Sequence, residues 1–306
     1  MGKRQKAKQK PKPVVLPSKN TFGWTPILAL ALSLLSIMIL CHPAVFAFCR
    51  QKSLEFIIFY RNTYATKSTD KMMNFISGFL GKYGLAAGVV FSHIFLPIFR
   101  AQILIVTLAI SVFTNTLIKM VVKDGRPFFI NDEFSPDKCE FEYGFPSGHS
   151  QTAVTFYLTV LTLLFREYNI QRGKYITYFL VVFWCLTVGM TRITLGVHTL
   201  EQILVGFGIG LIVHIFTCHI YLEQLEAAFK GIETGRTPFF SKIFFMYISF
   251  DIIVIFLYNV NTTFLSNPPE WTKNIMSQCS NSNKYVSVDY ESLNKQFSTS
   301  AKLGCY

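Results

Sequence analysis

Charge is scarce in this chain, and acid is scarcer still. Asp, Glu, Lys and Arg make up 15% of its residues, where a soluble domain carries about 25%. Between Asn20 and Cys49 there is no charged side chain at all. Together with a positive mean hydropathy, 51% hydrophobic residues and 31 phenylalanines, the deficit excludes an ordinary soluble domain and an acidic disordered chain. The seven cysteines include no C-x-x-C pair, so neither a zinc knuckle nor a thioredoxin-like motif is indicated. The net charge of +12 does not point to nucleic acid, because much of it lies in an N-terminal tail beside an apolar run.

What is present is a series of apolar runs separated by short polar stretches. Residues 1–21 are expected to be a disordered, basic cytoplasmic tail; the first 19 hold seven Lys or Arg and no acid. That tail reads either as a topogenic signal or as attraction to anionic lipid. A first span is expected within 22–48, centred on Trp24–Leu40. Leu54–Tyr64 and Asp70–Phe79 read as amphipathic interfacial helices. Further spans are expected at Tyr83–Phe99, Ala101–Ile118, Ser150–Phe165, Tyr175–Met190 and Gln202–Leu222, which with the amphipathic helices give a core over 49–222. A loop and a seventh span, Phe239–Tyr258, fill 223–260, and 261–306 read as a polar tail. Asp251 in the seventh span marks either a functional carboxylate or a tilted, interfacial helix. Ser111, Thr114, Asn115 and Thr116 are expected to join helices, and Gly206, Gly208 and Gly210 to permit close helix packing. The fold class is all-α: a polytopic membrane bundle of six core spans plus a seventh.

Three polar clusters interrupt this pattern, each at a span end, and parity places all three on one membrane face. The first is Lys119-x6-Arg126-Pro127, an ammonium and a planar guanidinium fork suited to phosphoryl oxygens. Pro127 disfavours helix at Arg126 and presents that side chain from a loop. The second is Pro146-Ser147-Gly148-His149, where a helix N-terminus favours an anion and His149 is a candidate general acid. The third is Arg192-x5-His198 followed by Glu201 and Gln202. A nucleophilic histidine needs one ring nitrogen held by an acceptor, and either residue lies one helical turn beyond His198.

In this order the clusters resemble the type 2 phosphatidic acid phosphatase superfamily, whose core is shared with acid phosphatases and vanadium haloperoxidases. Its patterns K-x6-R-P, P-S-G-H and S-R-x5-H-x3-D stand here at Lys119 to Pro127, Pro146 to His149, and Thr191-Arg192 to His198. The resemblance implies that Lys119, Arg126 and Arg192 clamp a phosphoryl group, with Ser147 and the Gly148 N–H contributing. It implies that His198 attacks phosphorus, that His149 protonates the leaving oxygen, and that no metal or other cofactor is required. The chain departs from the pattern at Thr191 and at Gln202, which stands where the orienting aspartate is usual. His198-Thr199-x-x-Gln202 is similar to the dolichyl-diphosphate phosphatase branch, while the glutamine is shared with glucose-6-phosphatases. The implied substrate is a membrane lipid phosphate or diphosphate: an isoprenoid diphosphate, a sphingoid-base phosphate or phosphatidate. A sugar-phosphate hydrolase and a catalytically weak lipid-phosphate binder are the alternatives. The expected location is the endoplasmic reticulum with a lumenal site, or else the plasma membrane. Cys279 and Cys305, with Cys139, would face that oxidising side, which leaves a disulfide among them open.

Overall fold

The computed structural model describes residues 24–137, 139–235, 242–264 and 267–279. The expected basic tail 1–21 lies outside these residues, as do 280–306 with Cys305. Helix is the regular secondary structure of the described residues, which include no strand.

Helix α1 is Trp24–Leu40, as expected from its uninterrupted apolar run. Helix α2 follows as Pro43–Thr63, longer than the anticipated Leu54–Tyr64, because proline is well tolerated in a first helical turn. The two helices meet at a 77° bend. Helix α3 (Lys67–Gly78) begins at a capping box in which Thr66 and Thr69 exchange side-chain and backbone bonds of 3.2 and 2.7 Å. It passes through a π turn, Phe79–Tyr83, into α4 (Gly84–Phe95). Leu96, extended before Pro97, then stops the helix. The apolar helix α4 is therefore shorter than the second span expected at Tyr83–Phe99.

Helix α5 (Ile98–Val122) runs to Lys123, and the single turn α6 (Pro127–Ile130) starts at the proline beside Arg126. Helices α7 (Gly148–Tyr168) and α8 (Lys174–Thr194) follow, then α9 (Leu200–Ile215), which continues through a π turn, Phe216–Ile220, towards α10 (Leu222–Glu233). Helices α11 (Lys242–Phe264) and α12 (Pro269–Cys279) complete the described chain. Among the described residues three helical runs are long and apolar enough to cross a membrane, or four if the bent α1–α2 pair counts as one. That is fewer than six plus a seventh. Helix α4 falls short in length, and α7 spends much of its surface on polar contacts inside the protein.

Those contacts explain the packing. Gln151 on α7 donates to the Ser111 carbonyl at 2.7 Å, and Asn115 on α5 donates to Gln151 Oε1 at 3.0 Å. Thr155 joins Ser111 at 3.1 Å and reaches the Gly210 carbonyl of α9 at 3.2 Å. Ser111 and Asn115 thus join helices, as their residue types suggested. Helix α9 lies so close to α7 that a Cβ at Gly206 would stand 2.7 Å from the Ser147 carbonyl, and one at Gly210 2.4 Å from that of Gln151. The outer faces of α1 and α8 expose Leu28, Leu32, Met38, Ile176, Phe179 and Phe183, the pattern of helices facing hydrocarbon.

The ends of α5 and α8 and the starts of α7 and α9 share one end of the bundle. It is capped by an aromatic cluster of Phe128, Phe129, Phe134 and Phe141 with Ile57, Ile193, Ile203 and Ile275. A disulfide joins Cys139 to Cys279 within this cluster. Residues 269–279 are consequently a packed helix, not part of a polar tail: Trp271 lies against Phe129, and α12 brings Ile275 and Cys279 into the core. In α11, Phe250 stacks on Phe113 of α5 at 4.2 Å, whereas Asp251 is exposed.

Candidate active site

The short turn between α8 and α9 positions His198. Gly196, at φ 72°, turns the chain, and the His198 N–H closes back on the Arg192 carbonyl at 3.3 Å. The imidazole is buried, with a relative exposure of 1%. Its Nδ1 lies 3.1 Å from Gln202 Oε1, and its Nε2 lies 3.2 Å from the Arg126 NH1 group. The Gln202 amide is fixed by its other end: Nε2 donates to Asp124 Oδ2 at 2.8 Å and to the Gly125 carbonyl at 2.9 Å. Oε1 must then accept, so Nδ1 carries the ring proton and the Nε2 lone pair faces the cations. Burial, followed by Arg126, Arg192 and Lys119, pulls the His198 pKa well below the ordinary imidazole value against the opposing pull of Glu140. The ring is neutral at physiological pH.

Glu201, the alternative partner, points elsewhere. Its Oε1 accepts from Thr199 Oγ1 at 2.6 Å and from Arg50 Nε at 3.3 Å.

The three cations converge around His198, but they hold carboxylates of the same chain. Glu142 bridges Lys119 at 2.7 Å and Arg126 at 2.6 Å. Glu140 bridges Arg126 at 2.8 Å and Arg192 at 2.7 Å. Burial raises the Glu140 pKa, but Arg192 and then Arg126 outweigh it and hold the carboxyl well below the usual range. Arg192 Nε is buried with no hydrogen-bond partner among the described residues, a donor still open to an anion.

The second cluster opens α7. Ser147 is its N-cap, fully buried, with Oγ 3.0 Å from Ser150 Oγ and accepting from the Ser150 N–H at 3.5 Å. That hydroxyl is engaged in the helix start, where the sequence had suggested a donor to phosphate. Gly148 approaches Asn115 so closely that a Cβ would lie 3.1 Å from Oδ1. His149, in the first turn, has Arg192, Glu140, Arg126 and Lys119 as its charged neighbours. The structure therefore gathers Lys119, Arg126, His149, Arg192, His198 and Gln202 into one site. Sequence reasoning missed Arg50, Asp124, Glu140 and Glu142. Their only local signal was position, Asp124 inside the first cluster and the two glutamates just ahead of the second.

Residues 100–226 match the PAP2 superfamily. The chain carries a PAP2 domain. Phosphatidylglycerophosphatase B of Bacillus subtilis is 30% identical over 99 residues, covering 32% of this chain and 46% of that protein. Dolichyldiphosphatase of Saccharomyces cerevisiae is 30% identical over 104 residues, covering 31% and 41%. The chain thus spans less than half the length of these relatives. The crystal structure of a transmembrane PAP2 type phosphatidylglycerolphosphate phosphatase from Bacillus subtilis superposes with a TM-score of 0.52. The likeness covers 71% of this chain and 100% of that one at 18% identity, which establishes a shared fold. The matched PAP2 region contains all three sequence clusters, whereas α1, α2 and Arg50 lie outside it.

Proposed function

We propose that the protein is an integral membrane phosphatase that hydrolyses a lipid phosphate or diphosphate, independently of metal, through a phosphohistidine. The observation that carries this reading is the fixed His198, its Nδ1 held by Gln202 and its Nε2 turned into a three-cation cluster. Attack by the Nε2 lone pair forms an N–P bond while the P–O bond to the leaving group breaks. His149 supplies a proton to the departing oxygen, and water then cleaves the N–P bond to release inorganic phosphate. Lys119, Arg126 and Arg192 neutralise the charge on the phosphoryl oxygens, the part a metal plays in other phosphoryl-transfer sites.

An apolar cleft of about 760 Å³ favours a lipid over a free sugar phosphate. It runs between α1, α7, α8 and α9, with Leu204 and Phe207 on α9 and Val154 and Leu158 on α7 among its walls. The cleft lies between the helices that carry His149, Arg192 and Gln202, and its walls are formed by other, apolar residues of those helices. The names of both relatives specify phosphorylated lipids, which supports the same class, with isoprenoid diphosphates, sphingoid-base phosphates and phosphatidate as candidates. The Cys139–Cys279 bond lies at the end that carries the site, which supports a lumenal active site in the endoplasmic reticulum.

Phosphate release by the purified protein from a panel of these lipids and glucose 6-phosphate, in EDTA, tests the reading. Turnover well above that of His198→Ala, inhibition by vanadate, and an acid-labile, base-stable phosphoenzyme absent from that variant are expected. Activity lost in EDTA and restored by magnesium contradicts the metal-free route. Turnover no greater than the control's leaves a lipid-phosphate binder, and preference for the sugar overturns the lipid assignment.

A further inference from the structure

We infer that Asp124, held by Arg50, is a positioning residue for His198 and acts on it through the Gln202 amide. This rests on the phosphohistidine reading above. Attack through Nε2 leaves the Nδ1 proton in place, so the phosphorylated imidazole becomes cationic. A neutral glutamine accepts the Nδ1–H bond but brings no charge to stabilise that cation.

The charge lies one hydrogen bond further on. Asp124 accepts from Gln202 Nε2 at 2.8 Å, and Gln202 Oε1 meets His198 Nδ1 at 3.1 Å. A carboxylate on the N–H end of an amide polarises it and strengthens its oxygen as an acceptor, as hydrogen-bond chains do in low dielectric. The chain is rigid at each link. The Arg50 NH2 group donates to both Asp124 oxygens at 2.6 Å, and its Nε reaches Glu201 at 3.3 Å. The Arg50 guanidinium also lies over the Phe46 ring at 4.5 Å. The Asp124 carbonyl accepts the Gly144 N–H at 2.8 Å, which ties this corner to the loop that bears Glu140 and Glu142. Arg50 comes from α2, outside the matched PAP2 residues. An element beyond the matched domain therefore completes the support of the nucleophile.

The test transposes the carboxylate and the amide while conserving shape. Phosphate release from phosphatidate and from farnesyl diphosphate is measured for the full-length chain in detergent, with His198→Ala as the blank. Asp124→Asn should lower kcat at least tenfold with KM within twofold, because the amide at 202 loses its anionic partner. Gln202→Glu should also lower kcat, since two carboxylates then face each other across 2.8 Å. The double variant Asp124→Asn/Gln202→Glu should exceed Gln202→Glu at least tenfold, while staying below the parent because the Gly125 carbonyl loses its donor at 2.9 Å. A merely structural role for Asp124 gives no such rescue. Parental kcat in Asp124→Asn, or a double variant no faster than the slower single one, overturns the inference while leaving the phosphatase reading intact. If Asp124→Asn does not fold, the double variant must exceed Gln202→Glu tenfold, and equal turnover overturns the inference. A parent no faster than the blank defeats both readings.

Discussion

Arg192 and Glu140 are joined by two hydrogen bonds from one guanidinium nitrogen, at 2.7 and 2.9 Å, inside the site that would receive a phosphoryl group. Glu140 and Glu142 together place two negative charges on Lys119, Arg126 and Arg192. An incoming anion must displace them. Glu140→Gln/Glu142→Gln should therefore bind orthovanadate about tenfold more tightly, roughly 1.4 kcal/mol, as read from inhibition constants. Weaker binding would mean that the carboxylates chiefly hold the cations in place.

The depressed pKa of His198 makes a stability prediction. The ring is neutral when folded and takes up a proton near its ordinary pKa of about 6.5 when unfolded. Its contribution is present above that pH and is lost as pH falls towards the folded value. Relative to His198→Ala, the parent should lose up to about 1.4 kcal/mol per pH unit below about 6.5. Melting temperatures of both proteins at pH 7.5 and 5.5 measure this; a gap that widens in acid contradicts the sign.

Glu201 Oε1 accepts from Thr199 and Arg50, while the imidazole Nδ1 pairs with Gln202. Glu201→Gln keeps the shape of the side chain, and kcat should stay within about threefold, an effect below 1 kcal/mol. A hundredfold loss would return the orienting role to Glu201.

Close contact of α7 and α9 sets the spacing of His149 and His198. A Cβ at Gly210 meets the Gln151 carbonyl at 2.4 Å, backbone that does not yield, whereas one at Gly208 meets the flexible Ile37 side chain at 3.0 Å. Gly210→Ala should cost about 1–3 kcal/mol and lower turnover, with Gly208→Ala milder in both. Thermal unfolding in detergent ranks the two, and the reverse order would refute the packing account.

The Cys139–Cys279 bond ties the loop of Glu140 to α12. Alkylation before reduction, followed by peptide mass mapping, should find these two cysteines protected and exposed Cys41 labelled. Cys279→Ser should destabilise the protein by about 2–5 kcal/mol in the same unfolding assay.

The sequence by itself determined the helical class, the positions of most apolar helices and the cations and histidines of the site. Those features are local: apolar runs set helices, and polar residues at the run ends reach the same membrane face by parity alone. Gly206 and Gly210 were legible as packing positions for the same reason. Only the tertiary structure chose between Gln202 and Glu201, because two adjacent helical residues differ only in which way they face. It alone placed Arg50 on Asp124 and Asp124 on Gln202, pairs separated by 74 and 78 residues. It brought Glu140 and Glu142 onto the cations and turned the Ser147 hydroxyl into its helix. It also made a packed helix of a stretch read as polar tail, through a disulfide across 140 residues. Such choices depend on which distant surfaces meet, and neither residue type nor spacing along the chain fixes that.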